Sequence, residues 1–420
     1  MASTASPQSK RVILLMRNST YRGQAFSEAA KRLDIEIATG LDIHPDLADY
    51  WKVPLALQFD QPEESAAKIV AFASQQPVQA VLSVDDSASL IAAKASEALG
   101  LVHNSSESAL AARNKYHMRR MFAQGGVSSP QFKLFEMTDD PHRIATEVRF
   151  PCVVKPLLLS GSRGVMRTNS PAELVDAFKR LSRMLAAHNR IPGSTQILIE
   201  DYIPGVEVAL EGVIDKGQLK VLALFDKPDP LEGPFFEETI YVTPSRLPDD
   251  VQTAVADCAG RAAEALGLRF GPVHAELRVN DDGPWMVEMA GRSIGGLCSR
   301  TLRFGLDNMA LEELILRQAV GLEIDSFSRT SEASGVMMIP IPMAGILKGI
   351  EGVESAREVP GIEAVDITAK LNQPLIPLPE GDSYLGFIFA RGETPDRVET
   401  ALRQAHQQLN FIIEMMLPVI

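Results

Sequence analysis

Residues 273–292 read Val273-His-Ala-Glu-Leu-Arg-Val-Asn-Asp-Asp-Gly-Pro-Trp-Met-Val-Glu-Met-Ala-Gly-Arg292. Two apolar runs flank Asp281-Asp-Gly283, the composition of a hairpin turn, so the pattern predicts two antiparallel arms, 273–280 and 284–289. Glu276 stands six residues before Asp282 and Glu288 six after it, which sets the two carboxylates opposite each other. Their neighbours Val273, Ala275, Leu277, Met286, Val287 and Met289 are apolar or small. Two carboxylates held side by side repel unless a cation lies between them. Mg²⁺ takes one or two protein carboxylates together with substrate phosphates, so this pair is a candidate metal site. The bland alternative is a half-buried pair with one acid protonated or bound to Arg278 or Arg292. Arg292 follows Glu288 by four residues beside Gly291, where a guanidinium can grip a carboxylate or steady an oxyanion. His274 faces the same side of its strand as Glu276 and can touch substrate, although a lone strand histidine is more often a structural donor.

Working outward, Ile197-Leu-Ile-Glu-Asp-Tyr-Ile-Pro-Gly-Val-Glu207 sets Glu200 at the end of an apolar strand and Glu207 on the next one. Carboxylates so placed can accept hydrogen bonds from an adenine amino group or from ribose hydroxyls; otherwise they are two exposed strand acids. Lys155 ends the strand Pro151–Lys155, and the glycine-bearing loop Ser160-Gly-Ser-Arg-Gly-Val165 follows. Such a loop lets backbone N–H groups close over phosphate oxygens while an ammonium neutralises them; a plain β-hairpin is the even alternative. Lys115 opens the basic helix expected over 113–125.

The first third alternates strand and helix signals. Arg11–Met16 and Val78–Val84 are short apolar runs of buried parallel strands, while 23–32, 63–74 and 87–99 carry helical spacing. That pattern predicts a doubly wound α/β sheet, and Asp85-Asp86 fall at a strand's C-terminal end, where such sheets bind ligands. The turn after the first strand lacks G-x-G-x-x-G, which argues against a dinucleotide site. Further on, strands and helices alternate less regularly, in α+β fashion. Ser170-Pro171 caps a helix to about His188, 249–266 and 307–320 are helices, strands lie at 334–340, 362–367 and 383–390, and 394–409 closes the pattern.

The whole chain of 420 residues is long enough for two or three domains, and 45% apolar with 23% charged residues is ordinary for a globular protein. Fifty-four acidic against 41 basic residues give a net charge of −13, which argues against a nucleic-acid partner. Three cysteines, Cys152, Cys258 and Cys298, match no zinc or redox spacing and read as buried small hydrophobes. The Ser-rich start has no apolar core and no run is long enough to span a bilayer, so the expectation is a cytoplasmic protein with no membrane partner. Residues 411–420 are expected to be a buried terminal segment.

Taken in order, the helix lysine, strand lysine with glycine loop, two spaced glutamates and Glu…Glu-x-x-x-Arg resemble the ATP-grasp superfamily over nearly the whole chain. Within it, His274-Ala-Glu276 with Glu288-Met-Ala-Gly-Arg292 is similar to the L-amino acid ligase (dipeptide synthetase) branch. The resemblance implies a multidomain α/β and α+β fold. A flexible N-terminus (1–10) would precede a doubly wound pre-ATP-grasp domain (11–112). A two-lobed ATP-grasp fold would follow, with a small lobe (113–200), a large-lobe core (201–330) and a C-terminal part of the large lobe (331–420).

By the same resemblance, Lys115 and Lys155 bind ATP phosphates under a lid of Ser160, Gly161, Ser162, Arg163, Gly164 and Val165. Glu200 lies at the adenine hinge with the backbone of Asp201, Tyr202 and Ile203, and Glu207 holds the ribose. Glu276 and Glu288 carry Mg²⁺ or Mn²⁺, and Arg292 faces the transferring acyl group. Gly295 and Gly296, with Glu238 from the segment 235–243, wall the pocket for small-molecule carboxylate and amine substrates, alongside His274. The implied activity is ATP-dependent amide formation through an acyl phosphate. Ala290 stands where many such enzymes have a further metal-binding Asn, which leaves the number of metal ions open. Biotin-carboxylase-like and purine-pathway enzymes share these residues, although the loop Gly161-Ser-Arg-Gly164 and the stretch Ser293-Ile-Gly-Gly296 fit the former poorly. A non-catalytic ATP-binding protein is a third reading. A homodimer is an assembly the family allows.

Overall fold

The computed structural model describes residues 10–18, 20–187 and 195–415. The expected flexible N-terminus lies outside the described residues except for Lys10, which opens the first strand; His188 and residues 416–420 lie outside them too. The described residues form four sheets. The first is parallel, in the order Leu55–Leu57, Ile35–Asp42, Lys10–Met16, Ala80–Ser83. Val12 and Leu14 pack with Phe26 of the helix Gly23–Arg32 on one face, and Ile13 and Leu15 pack with Ile69 and Ile91 on the other. Burial on both faces is why the strand reads as an unbroken apolar run. The strands Ile35–Asp42 and Leu55–Leu57 carry too mixed a pattern to be read from sequence.

The second sheet is antiparallel, in the order Phe132–Glu136, Gln196–Asp201, Cys152–Pro156, Met166–Thr168, and the helix Pro171–Ala186 covers one face. Ser170 caps that helix by accepting from the Glu173 N–H, with Pro171 at its first position. The basic helix expected over 113–125 is present as Lys115–Gln124, with its start two residues later because Arg113 ends a preceding helix, Ser106–Arg113. Asn114 is extended, accepts from the N–H groups of Tyr116 and His117, and starts a new helix, Lys115–Gln124.

The third sheet has eight strands and carries the hairpin of Gly271–Asn280 and Gly283–Ala290 at one edge. Beside it run Val206–Asp215 and Gln218–Asp226, joined through Lys216 and Gly217 in left-handed conformation, then Ile240–Thr243, Ala333–Ile339, Gly386–Gly392 and Ile362–Ile367. The helix Asp249–Ala265 covers the hairpin end and Pro395–Gln408 the far end. The helix expected over 307–320 begins only at Leu311. A small sheet of Pro374–Leu375, Gly345–Glu351 and Asn410–Glu414 corrects the expectation of a buried tail. Phe411 and Ile413 pack against the core while Ile412 is exposed, the period of a half-buried edge strand.

Candidate functional site

Loops of the first sheet, the second sheet and the hairpin edge of the third converge on a cleft of 680 Å³. Lys115, Lys155, Ser160–Arg163, Val165, Glu200–Ile203, Glu207, Glu238, His274, Glu276, Glu288, Arg292, Gly295 and Gly296 all line it. Gly164 does not; its N–H donates to the Pro379 carbonyl at 2.8 Å, which pins the loop from behind.

Glu276 and Glu288 stand opposite each other in the hairpin ladder, with an irregularity directly after Glu276. Each has its own cation. Lys115 Nζ lies 3.0 Å from Glu288 and also donates to the Leu159 carbonyl at 2.9 Å. Glu276 faces Lys227 at 3.5 Å and His274 Nε2 at 3.6 Å. Burial alone would raise the Glu276 carboxyl; Lys227 and His274 outweigh it and hold the group at about 2. The alternative pairing with Arg278 or Arg292 does not occur. Arg278 Nε donates to Glu207 at 3.0 Å, and Arg292 is bound to Asp86.

Lys227 directly follows the strand Gln218–Asp226 and is buried at the centre of an acidic cluster. Its Nζ is 2.9 Å from Glu207, 2.6 Å from Glu238 and 3.5 Å from Glu276. Burial works against the charge, but the three glutamates outweigh it and hold the ammonium well above the usual lysine range. Oxygen atoms of these three acids lie within 4.8 Å of one another, so among the described residues they form a group that can hold a cation; Glu288 is not part of it.

Glu200 and Glu207 are not exposed strand acids. Glu200 is 3% exposed, with Arg119 and Lys155 on its carboxylate at 2.7 and 2.6 Å. Burial would raise its pKa, and the two cations outweigh that and lower it. The neighbouring backbone is largely engaged within the protein: the Asp201 and Tyr202 N–H groups donate to the Gln131 and Pro151 carbonyls, and Arg278 donates to the Ile203 carbonyl.

Arg292 is held from the N-terminal sheet. Its Nε and Nη2 lie 2.8 and 2.7 Å from Asp86 Oδ2, and Nη1 donates to the Ser293 carbonyl at 2.9 Å. Arg22, also buried, donates to the Val84 carbonyl and to Ser293 Oγ, both at 2.6 Å, and so fastens the turn after Arg292. His274 Nδ1 is 3.2 Å from the wholly buried Glu211, whose carboxylate accepts the Ile294 N–H at 3.0 Å. Burial disfavours the imidazolium, but Glu211 and Glu276 outweigh it and push the ring up to about 9. Gly296 has a left-handed φ of 60°, and a Cβ there would come 3.2 Å from the Phe387 ring.

Lys227, Arg119, Glu211, Arg22 and Asp86 are parts of the site that sequence reasoning did not assign. Only Asp86 carried a signal, as an acid at a strand's C-terminal end. Chemically the cleft offers cations for an anionic chain (Lys115, Lys155, Arg163), carboxylates for a cation or an ammonium, and an oriented guanidinium.

The description "ATP-grasp domain" matches residues 148–301, and "L-amino acid ligase C-terminal domain 2" matches 337–414. Alanine–anticapsin ligase of Bacillus subtilis (strain 168) is 25% identical over 421 residues, covering 90% of this chain and 85% of that protein. The crystal structure of an L-amino acid ligase from Bacillus licheniformis superposes with a TM-score of 0.83 at 24% identity, covering 97% and 100% of the two chains. The MgADP-bound biotin carboxylase domain dimer of the Hydrogenobacter thermophilus 2-oxoglutarate carboxylase gives 0.66 at 17% identity, covering 97% and 92%. These structural likenesses bear on the fold.

Proposed function

We infer, from the premise that the chain is an ATP-grasp protein with the C-terminal domain of the L-amino acid ligases, that it is an ATP-dependent carboxylate–amine ligase. It forms an amide or peptide bond through an acyl phosphate, with an amino acid among its substrates. The observation that carries this reading is one cleft in which buried Lys115 and Lys155, the opposed Glu276 and Glu288, and the Asp86-bound Arg292 meet.

Lys115, Lys155 and Arg163 neutralise the triphosphate, and the backbone after Glu200 with Glu207 receives the nucleoside. Glu276 and Glu288 fit Mg²⁺ or Mn²⁺, which supplies further positive charge to the phosphates; Ala290, opposite His274 in the ladder, offers no ligand. The substrate carboxylate attacks the γ-phosphorus in line and ADP leaves, a step that needs positioning and charge more than covalent help from the protein. The amine then attacks the acyl carbon, Arg292 steadies the oxyanion, and phosphate departs. The loop Ser160–Val165 excludes water that would hydrolyse the acyl phosphate. Glu238 and His274, with Gly295 and Gly296, border the substrate pocket, where a carboxylate suits an α-ammonium. The assembly to test is a homodimer.

A coupled ADP-release screen over pairs of amino acids, with mass detection of condensed products, tests this reading. Stimulated ADP release with a dehydrated condensation product is expected. Glu276→Gln and Glu288→Gln should abolish turnover while leaving the fold intact. Full activity in both variants refutes the metal assignment, and ADP release without a condensed product across the panel refutes the ligase reading.

A further inference from the structure

Glu200 holds two cations on one carboxylate, and all three groups are buried: Arg119 wholly, Lys155 at 5% exposure and Glu200 at 3%. Arg119 Nη2 donates to Glu200 Oε2 at 3.1 Å, and its Nε lies 2.7 Å from Oε1, a contact of charge rather than an aligned hydrogen bond. Lys155 Nζ is 2.6 Å from Oε2. The trio therefore carries one positive charge in excess.

The two cations differ in what else they meet. Arg119 lies outside the cleft wall, one helical turn after Lys115 on the same face of Lys115–Gln124, and it also donates to the Val287 carbonyl at 2.6 Å. It is fixed to the hairpin strand on one side and to the second sheet on the other. Lys155, next to last in its strand, lines the cleft together with Lys115 and residues of the glycine loop.

A buried carboxylate with a single counterion surrenders it only at the cost of an uncompensated buried charge. With two counterions, one leaves and the other remains. We propose that Arg119 is a positioning residue that keeps Glu200 neutralised, so that the Lys155 ammonium is released from Glu200 to a nucleotide phosphate in the cleft. This rests on the reading of Lys155 as a phosphate ligand. The exchange is of ion pairs alone: Lys155 gives up a carboxylate oxygen for a phosphate oxygen, and the phosphate absorbs the excess positive charge. A buried arginine that merely ties a helix to a sheet makes a different prediction, since its removal costs stability whatever charge sits at position 200.

Calorimetric titration of the full chain with MgADP, in the absence of acyl and amine substrates, separates these. Folding is followed by circular dichroism and by melting without nucleotide. Arg119→Met should weaken MgADP binding about tenfold or more, because Lys155 becomes the sole counterion of Glu200. Arg119→Lys should stay within about threefold of wild type, since it keeps the charge. Glu200→Gln alone and the double variant Arg119→Met with Glu200→Gln should both fold and bind MgADP alike, because with no carboxylate left to hold Lys155 there is nothing for Arg119 to neutralise. If Arg119→Met alone does not fold, the double variant carries the test and must bind within about threefold of Glu200→Gln alone.

The proposal is overturned if Arg119→Met binds like wild type. It is equally overturned if the double variant binds more than about threefold weaker than Glu200→Gln alone or fails to fold, since a structural tie then accounts for Arg119. Wild type that binds no MgADP, or Lys155→Met that binds it like wild type, removes the underlying phosphate reading, and this proposal with it.

Discussion

Lys227→Met removes the ammonium at the centre of Glu207, Glu238 and Glu276. The side chain is 3% exposed, and its partners stand at 2.9, 2.6 and 3.5 Å. Removing one partner from a buried charge cluster costs about 3–5 kcal/mol, because the remaining charges stay behind uncompensated. Linkage gives the same scale. Glu276 sits at about 2 instead of the ordinary 4.5, which corresponds to about 3 kcal/mol at neutral pH, shared between Lys227 and His274. In wild type the depressed group contributes stability that is present above the unfolded pKa and is lost as pH falls through about 2.

The sign reverses in the variant. Without Lys227, three carboxylates within 4.8 Å repel one another, so protonation of the cluster offsets part of the loss as pH falls. Urea unfolding is followed by tryptophan fluorescence, to which Trp285 on the hairpin strand contributes. The variant is expected to lose about 3–5 kcal/mol at pH 7.5 and less than half of that at pH 5. A loss below about 1 kcal/mol at pH 7.5, or the same loss at both pH values, refutes the view that Lys227 is the cluster's counterion.

Two further outcomes follow from local geometry. Gly205, in the connection between the strands Gln196–Asp201 and Val206–Asp215, has a φ of 120°, and a Cβ there would lie 2.2 Å from the Val279 carbonyl oxygen, so Gly205→Ala should destabilise the native chain by about 2–4 kcal/mol; a change in urea midpoint within error of zero would contradict this. Cys152, Cys258 and Cys298 are all buried, and burial pushes each thiol up, Cys152 to about 11; native protein should therefore release no chromophore with an aromatic disulfide reagent until it is unfolded, and rapid native labelling would count against the packing.

What the sequence discloses here depends on how local the cause is. The turn sets the register of Asn280 against Gly283, in which Glu276 would face Val287; the irregularity after Glu276 moves its partner by one to Glu288, so counting from Asp282 reaches the right pair only with the help of a bulge that the count does not contain. The doubly wound N-terminal sheet is legible because its central strand is buried on both faces and spells an apolar run. Lys227, by contrast, follows an ordinary strand, and nothing nearby in the chain announces that glutamates from three other segments will surround it. Arg119 lies among other basic residues of a surface-like helix, and its burial follows from how two sheets close around that helix. Asp86 reads as a strand-end acid, but its partner Arg292 is brought to it only by tertiary packing. The strand Asn410–Glu414 was hidden by composition: apolar content suggested burial, while alternation across a sheet edge leaves every second side chain wet.

The loop Ser160–Val165 is fastened at its tip. Gly164 is bonded to the Pro379 carbonyl, Arg163 donates to the Glu380 carbonyl at 3.0 Å, and Arg180 grips the Glu380 carboxylate at 2.6 and 2.8 Å. Two segments far apart in the chain are thus held together at the rim of the cleft. If the loop closes over nucleotide as proposed, changes in the stretch around Pro379 should act on nucleotide release through the loop, without touching the residues that line the interior.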